Sequence, residues 1–344
     1  MPLHESVQRL LLLGVPLERS LAPAEPVPPS RLAPLVAALA GSYSELNRRA
    51  IHFGHRYRSG YWGIYLLSAL AVLCAVLPLA LGWDGAAHRL HPYAGIWAFS
   101  EVVLIGSVSL FYWIGHRRDW QGQWLRARTT AELLWYLPVI APLLDLEVPS
   151  SEPNWYLRIF DPGQHVRTAD EIGAHCSRVE PLTRTALAAA WADREFIASY
   201  ARWTMQILEQ QRHYHSAVVI KQHALQHRVH TVNTALFGLT AVGALAHLAV
   251  HTLWLSLITT FFPALGASLH GALAQSEAYR LQTTSHRLAE ELTGAIERVR
   301  DSVAASAAGD YSAVKIAVEA AIALILEEHQ DWNLLVRPHR LPLA

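Results

Sequence analysis

Lysine is almost missing from this chain: of 28 basic residues only Lys221 and Lys315 are lysines, and the rest are arginines. The acidic residues also number 28, so the formal net charge is +0. That balance excludes the broad positive field that draws a protein to nucleic acid, and no nucleic-acid partner is expected. Cysteine is scarce as well. Cys74 and Cys176 are too few for a disulfide framework or a cysteine-rich metal centre. One lies in an apolar run and the other in a polar stretch, so they are not expected to pair. Enzyme signatures are absent: there is no G-x-S-x-G, no P-loop, no G-x-G-x-x-G and no H-E-x-x-H. We therefore expect no catalytic residue, no cofactor and no enzyme activity. A cleavable signal peptide is not expected either. Met1–Val15 has a short apolar core but carries His4, Glu5 and Arg9 and lacks an A-x-A site.

The most informative absence is local. From Thr231 to Ser276 there is no Asp, Glu, Lys or Arg, in a chain that is 16% charged. A membrane-crossing helix needs about 20 mostly apolar residues, so this run is long enough for two. Its weakest point is His251-Thr252, with Trp254 just after and His247 one turn before. The reading is one span over Thr231–Val250, a tight turn, and a return over Leu253–Ala272. A second pair precedes it. Tyr61–Gly82 is uncharged and opens with Tyr61, Trp62 and Tyr65. Ala94–Gly115 contains one acid, Glu101, and closes with Phe111, Tyr112 and Trp113. Aromatic residues at the ends of apolar runs match an interfacial belt. The hydrophobic share of 52% and mean hydropathy of +0.18 suit a few spans joined to a large water-exposed helical part.

Arginine placement predicts orientation. Arg48, Arg49, Arg56 and Arg58 precede the first run, and Arg117 and Arg118 follow the second. Only Arg89 lies between them. Lys221 and Arg228 precede the second pair, Arg280 and Arg287 follow it, and its turn has none. By the positive-inside rule both hairpins keep their ends in the cytoplasm. The fold class expected is all-α and integral to the membrane: two transmembrane hairpins, four spans, with a cytosolic helical bundle. The divisions are residues 1–60, N-terminal cytosolic helices and linker; 61–115, hairpin one; 116–230, a cytosolic helical region; 231–272, hairpin two; and 273–344, C-terminal cytosolic helices. Both termini are expected in the cytoplasm, at the inner or plasma membrane.

Between and around the spans the pattern is helical. Arg31–Arg58 carries a stripe of Leu32, Leu35, Leu39 and Leu46, with Pro34 in its first turn, where proline is tolerated. Asp119–Leu134 reads as a continuation of the second span. Ala131–Leu144, apolar but holding Pro138 and Pro142, reads as a buried turn. Asp145–Pro181 is irregular. Thr183–His230 reads as one long helix entering the third span, and Gln275–Ser302 as a helix leaving the fourth. After a break at Ala308-Gly309, Asp310–Leu335 reads as a helix capped by Asp310 or Ser312.

Candidate functional residues follow from what lipid tolerates. Glu101 is the one acid inside an expected span, and intramembrane carboxylates usually face a cavity or a partner. It is a pore-lining or gating candidate; its alternative is a solvated or Arg89-paired residue near the outer interface. Thr259 and Thr260 lie among small residues that allow close helix packing or line an assembled pore. Pro263 would free a backbone carbonyl and is a hinge candidate. His223, His227 and His230 share one helix face at a spacing compatible with a metal, but no carboxylate or thiol joins them. Interfacial histidines are the better reading, and no metal is assigned.

The stretch His55-Arg56-Tyr57-Arg58-Ser59-Gly60-Tyr61 before the first span resembles a SLATT-type two-span module. So does Arg117-Arg118-Asp119-Trp120 after the second span, with Trp124, Arg128 and Ala131-Glu132-Leu133. The interfacial residues carrying that likeness are Arg56, Tyr57, Arg58, Tyr61, Arg117, Arg118, Trp120 and Glu132. Glu328–Trp332 is similar to a tail of longer members. Such proteins are thought to be membrane effectors of bacterial conflict and antiphage systems, proposed to form pores when a nucleotide sensor is triggered. The resemblance implies that role here, with the lipid bilayer, further copies of the chain and a separate nucleotide-sensing protein as partners. A second expectation, from a different class, is a non-conducting membrane anchor or scaffold that recruits cytosolic partners.

Overall fold

The structure is a computed structural model and describes residues 1–15, 23–83, 93–145, 147–148, 172–176, 182–250, 252–306 and 311–335. Its long elements are all helices: α1 (Leu3–Leu11), α2 (Ala33–Ala80), α3 (Ala94–Arg117), α4 (Trp120–Leu143), α5 (Arg184–Trp191), α6 (Arg194–Ala249), α7 (Leu253–Gln275), α8 (Ala278–Ala305) and α9 (Ser312–Leu335). Among the described residues there is no strand, only an isolated antiparallel bridge between Val148 and Leu182. Four helices are long and apolar enough to cross a membrane: α2, α3, α6 and the stretch that begins with α7.

Helix ends explain where the sequence reading and the structure differ. The leucine stripe and the first apolar run form one 48-residue helix, α2, since nothing between them stops it. It ends at Gly82, whose φ of +68° lets the Trp83 N–H reach Pro78 O at 2.9 Å and its own N–H reach Leu79 O at 3.0 Å. That is the Schellman arrangement, which satisfies the orphan carbonyls of a helix end. The expected continuation through Asp119 does not occur. Asp119 takes φ +44° and separates α3 from α4, using the tolerance of Asp for the left-handed region. Glu277, at φ +53°, likewise separates α7 from α8, so the helix expected over Gln275–Ser302 is present but begins at Ala278 and not in continuity with the fourth span. The expected helix over 183–230 is broken at Ala192-Asp193. There the Asp193 carboxylate accepts from the N–H of Glu195 at 3.0 Å and of Phe196 at 3.5 Å, capping α6. Ala131–Leu144 is buried as expected but is not a turn: up to Leu143 it is the end of α4, which carries both prolines. Arg89, His88, His91, His251, the break at Ala308-Gly309 and most of 145–181 lie outside the described residues, as does Asp310.

The chain divides into two units. The first comprises Met1–Leu17, Gly54–Trp120 and Val219–Gln282; the second comprises Glu18–Phe53, Gln121–Val218 and Thr283–Ala344.

The first unit has a small core around Trp62, Leu225, Val229, Leu269 and Ala272, against which Val7, Leu11 and Leu12 pack. Its helices approach closely at glycines. A Cβ at Gly271 would stand 2.5 Å from Tyr65 Cε1, and one at Gly243 would stand 3.0 Å from Ile258 Cγ2. The missing side chains leave room for a neighbour's: the Tyr65 ring of α2 fills the space at Gly271 of α7, and Ile258 of α7 fills that at Gly243 of α6.

The second unit holds the larger core. Leu32, just before α2, and Leu35, Leu39 and Leu46 within it pack with Leu134, Leu137 and Ile140 of α4, Tyr200 and Ile207 of α6, Leu292 of α8 and Val318 of α9. Several polar groups inside it are matched. The last carbonyls of a helix have no partner within it, and Pro142 O in α4 accepts from the Trp191 indole N–H at 2.8 Å. The Thr183 hydroxyl caps α5, accepting from Ala186 N at 3.2 Å.

Candidate functional site

The first unit is built from the segments expected to cross lipid. No described residue of α3 is buried. Its large apolar side chains are left uncovered over a broad face: Ile96, Phe99, Val102, Ile105, Leu110 and Trp113 are each at least half exposed. The upper half of α6 does the same with Phe237, Leu239, Val242, Leu245 and Leu248. A helix that is apolar all round belongs in an apolar surrounding. Leaving such a side chain in water forgoes about 1.5–3 kcal/mol relative to full burial. Over α3 alone that amounts to on the order of 10 kcal/mol, comparable to the whole stability of a typical domain.

Glu101 sits on this apolar helix, half-buried. Thr259 turns its hydroxyl back to Leu255 O at 2.9 Å, so it presents its methyl group toward Gly243. Thr260 is exposed, and Pro263 lies inside α7, which continues through it. Glu101 is on α3 and both threonines are on α7.

The interfacial residues of the resemblance have definite packing roles. Tyr57 and Tyr61 meet edge to face with ring centroids 5.5 Å apart. The Tyr57 hydroxyl accepts from Gln275 Nε2 at 3.1 Å, tying α2 to the end of α7. Burial pushes the Tyr57 hydroxyl above its ordinary pKa, against that hydrogen bond. Trp120 lies against Gly60 and Gly115, 3.5 and 3.4 Å from a Cβ placed at each. Arg117 stacks over Trp113 at 5.1 Å, and Arg56 is exposed. Arg58 is half-buried and acts electrostatically on His4. Arg118 is exposed at the end of α3. Glu132 belongs to the second unit, where it pairs with Arg128 one turn earlier. The side chains of Glu328–Trp332 lie outside the described residues.

His223, His227 and His230 are all exposed, and His223 Nδ1 lies 3.4 Å from Gln282 Nε2. Among the described residues the group able to share a metal is a different one: His4, Glu5 and His55, whose donor atoms lie within 4.8 Å of one another. His4 is 3% exposed, and its Nδ1 sits 3.1 Å from Ser59 Oγ. Burial first, then the nearby Arg58 guanidinium, pushes its imidazole down to about 4, so it is neutral at physiological pH. Sequence reading missed this group because two of its members stand some fifty positions before the third.

A cavity of about 350 Å³ opens beside α6 and α7, lined by Gln226, His230, Asn233, His270, Glu277 and Arg280 among others. Asn233 Oδ1 is buried there and takes no hydrogen bond from a described residue.

Gly271→Ala is expected to cost about 1–3 kcal/mol, the usual range for overpacking, since its methyl must displace the Tyr65 ring. Thermal melts in detergent should show the loss. The same substitution in a Tyr65→Ala background should be nearly silent.

Comparison of the chain with protein-family models, with curated proteins and with solved structures gives no match.

Proposed function

We propose that this chain is an integral membrane effector that assembles into oligomers and perturbs the bilayer, or conducts ions, after a cytosolic signal. The observation that carries the reading is α3, an apolar helix with no buried residue among those described. Its surface suits lipid tails or other copies of itself far better than water. In this reading Tyr61–Gly82, Ala94–Gly115, Thr231–Val250 and Leu253–Ala272 cross the inner or plasma membrane, and the arginine-rich ends stay in the cytoplasm. The likeness to SLATT-type modules supports a place in bacterial conflict systems, with a separate nucleotide-sensing protein as the trigger.

Glu101 favours assembly. An ionised carboxylate facing lipid is costly and seeks a wet cavity or a partner, and Glu101 lies on a helix whose described residues are all exposed or only partly buried. Copies joined through α3 would enclose it. Thr259, bonded to its own helix, plays the lesser part.

The test is expression in cells loaded with a membrane-potential dye, with the trigger supplied or the chain overexpressed. Depolarisation is expected, and Glu101→Gln is expected to reduce it at least about tenfold, the scale on which intramembrane charge matters. A carbonate-washed membrane fraction must retain the chain. Retention without depolarisation, and indifference to Glu101→Gln, would overturn conduction and favour the anchor or scaffold. That second reading draws on the second unit, whose separate core is suited to holding a partner.

A further inference from the structure

We propose that His4, Glu5 and His55 form a zinc-binding clasp that pins α1 to α2 at the entry to the first apolar run. Two imidazoles and one carboxylate, with a fourth position left for water, are a donor set that Zn²⁺ takes. The three residues come from two elements. His4 and Glu5 are neighbours in the first turns of α1, and His55 lies within α2, one turn before Ser59.

The geometry is close to what a tetrahedral ion needs. His55 Nδ1 stands 3.8 Å from Glu5 Oε1. Ligands about 2.0–2.1 Å from a tetrahedral zinc lie roughly 3.4 Å from one another. Small side-chain adjustments would bring all three donors onto one ion, starting from separations within 4.8 Å. The rings of His4 and His55 are already adjacent, with centroids 5.3 Å apart. The second independent sign is an orphan: His55 Nδ1 is buried and has no hydrogen-bond partner. Buried polar atoms left unpaired call for an explanation, of which an absent ion is one. Ser59 Oγ, 3.1 Å from His4 Nδ1, orients that ring as outer-shell groups orient metal-binding histidines.

The choice of ion follows from the surroundings. Arg58 and Lys221 lie near His4, and positive neighbours disfavour a hard cation held mainly by charge. An ion of the zinc type, bound strongly by imidazole nitrogen, suits the site better than Ca²⁺ or Mg²⁺.

The clasp has a structural reason. A nine-residue helix is marginal in water by itself. α1 is held through Leu3 against Gly63 and through Val7 and Leu11 on the small core. Chelation across two elements would make that docking zinc-dependent. The inference stands whether or not the assembled chain conducts.

The experiment uses the full, untagged chain in detergent micelles, stripped with a chelator and titrated with Zn²⁺ by calorimetry, with metal content measured after gel filtration. About one zinc per chain is expected, as for a single site with three protein ligands. Glu5→Gln leaves both hydrophobic cores untouched, so it serves as the variant that must fold; His55→Ala is the second. Each is expected to weaken binding by more than the roughly 10–100-fold typical of losing an outer-shell partner. Replacing His223, His227 and His230 together with alanine should leave binding intact. Trypsin cleavage after Arg9 reports α1 itself: with zinc at about 100 times its dissociation constant it should slow roughly 100-fold, and a chelator should restore the rate. Absence of zinc binding by the parent chain, equal binding by Glu5→Gln and His55→Ala, or loss in the His223/His227/His230 variant would each overturn the proposal.

Discussion

Tyr200→Ala is expected to destabilise the second unit by about 3–5 kcal/mol, the range for removing a fully buried aromatic side chain. Tyr200 is 0% exposed. Its ring stacks on Phe196 at 5.7 Å and meets Trp191 edge to face at 5.5 Å. Its hydroxyl donates to Val139 O at 2.5 Å, in the part of α4 where Pro138 and Pro142 withhold two N–H groups. Tyr200→Phe keeps the rings and loses only the hydrogen bond, so it should cost about 1 kcal/mol. Tryptophan-fluorescence melts of the full chain in detergent would measure both. The segments proposed to cross the membrane do not contain Tyr200, so in that reading Tyr200→Ala should still pellet with carbonate-washed membranes. If the proposed effector receives its signal through this unit, that variant reaches the membrane and no longer responds. A melt unchanged by Tyr200→Ala would remove the basis for treating the second unit as a packed body.

Acidification is expected to weaken the same unit through His215. This residue is buried, and its Nδ1 lies 3.1 Å from Ser285 Oγ on α8. Burial pushes its pKa from 6.5 down to about 4, while Glu132 on α4 acts in the opposite direction. The unfolded chain therefore takes up a proton near pH 6.5, and the folded one does not until about pH 4. Below 6.5 the unfolded state binds more protons, so the contribution is complete above that pH and drains as pH falls to 4. The loss is about 3 kcal/mol over that window. His215→Gln retains a hydrogen-bonding side chain and should flatten the dependence between pH 6.5 and 4, measured by melts at a series of pH values. An equally steep dependence in that variant would assign the effect to other groups.

Much of the architecture was legible because it depends on composition over long windows. The uncharged stretch from Thr231 to Ser276 became the upper part of α6 and α7, separated where the histidine and threonine interrupt it. The Leu32–Leu46 stripe proved to be a core face. Helix interruptions were less legible where they lacked a glycine. Gly82 advertised its left-handed cap, whereas Asp119 and Glu277 adopt the same conformation without a comparable signal. Pro138 and Pro142 argued against a helix over Leu134–Leu143, yet burial on nearly every side outweighs the missing hydrogen bonds.

By itself, the amino-acid order determined that this protein is helical and that four of its segments are apolar enough to cross a membrane, since both properties arise from neighbours along the chain. Only the tertiary structure decided which side chains meet. It left no described residue of α3 buried, set Gly271 against Tyr65, and brought His4 and Glu5 to His55. Such meetings depend on how separate helices are packed, and spacing along one helix carries no record of the neighbour that will lie beside it.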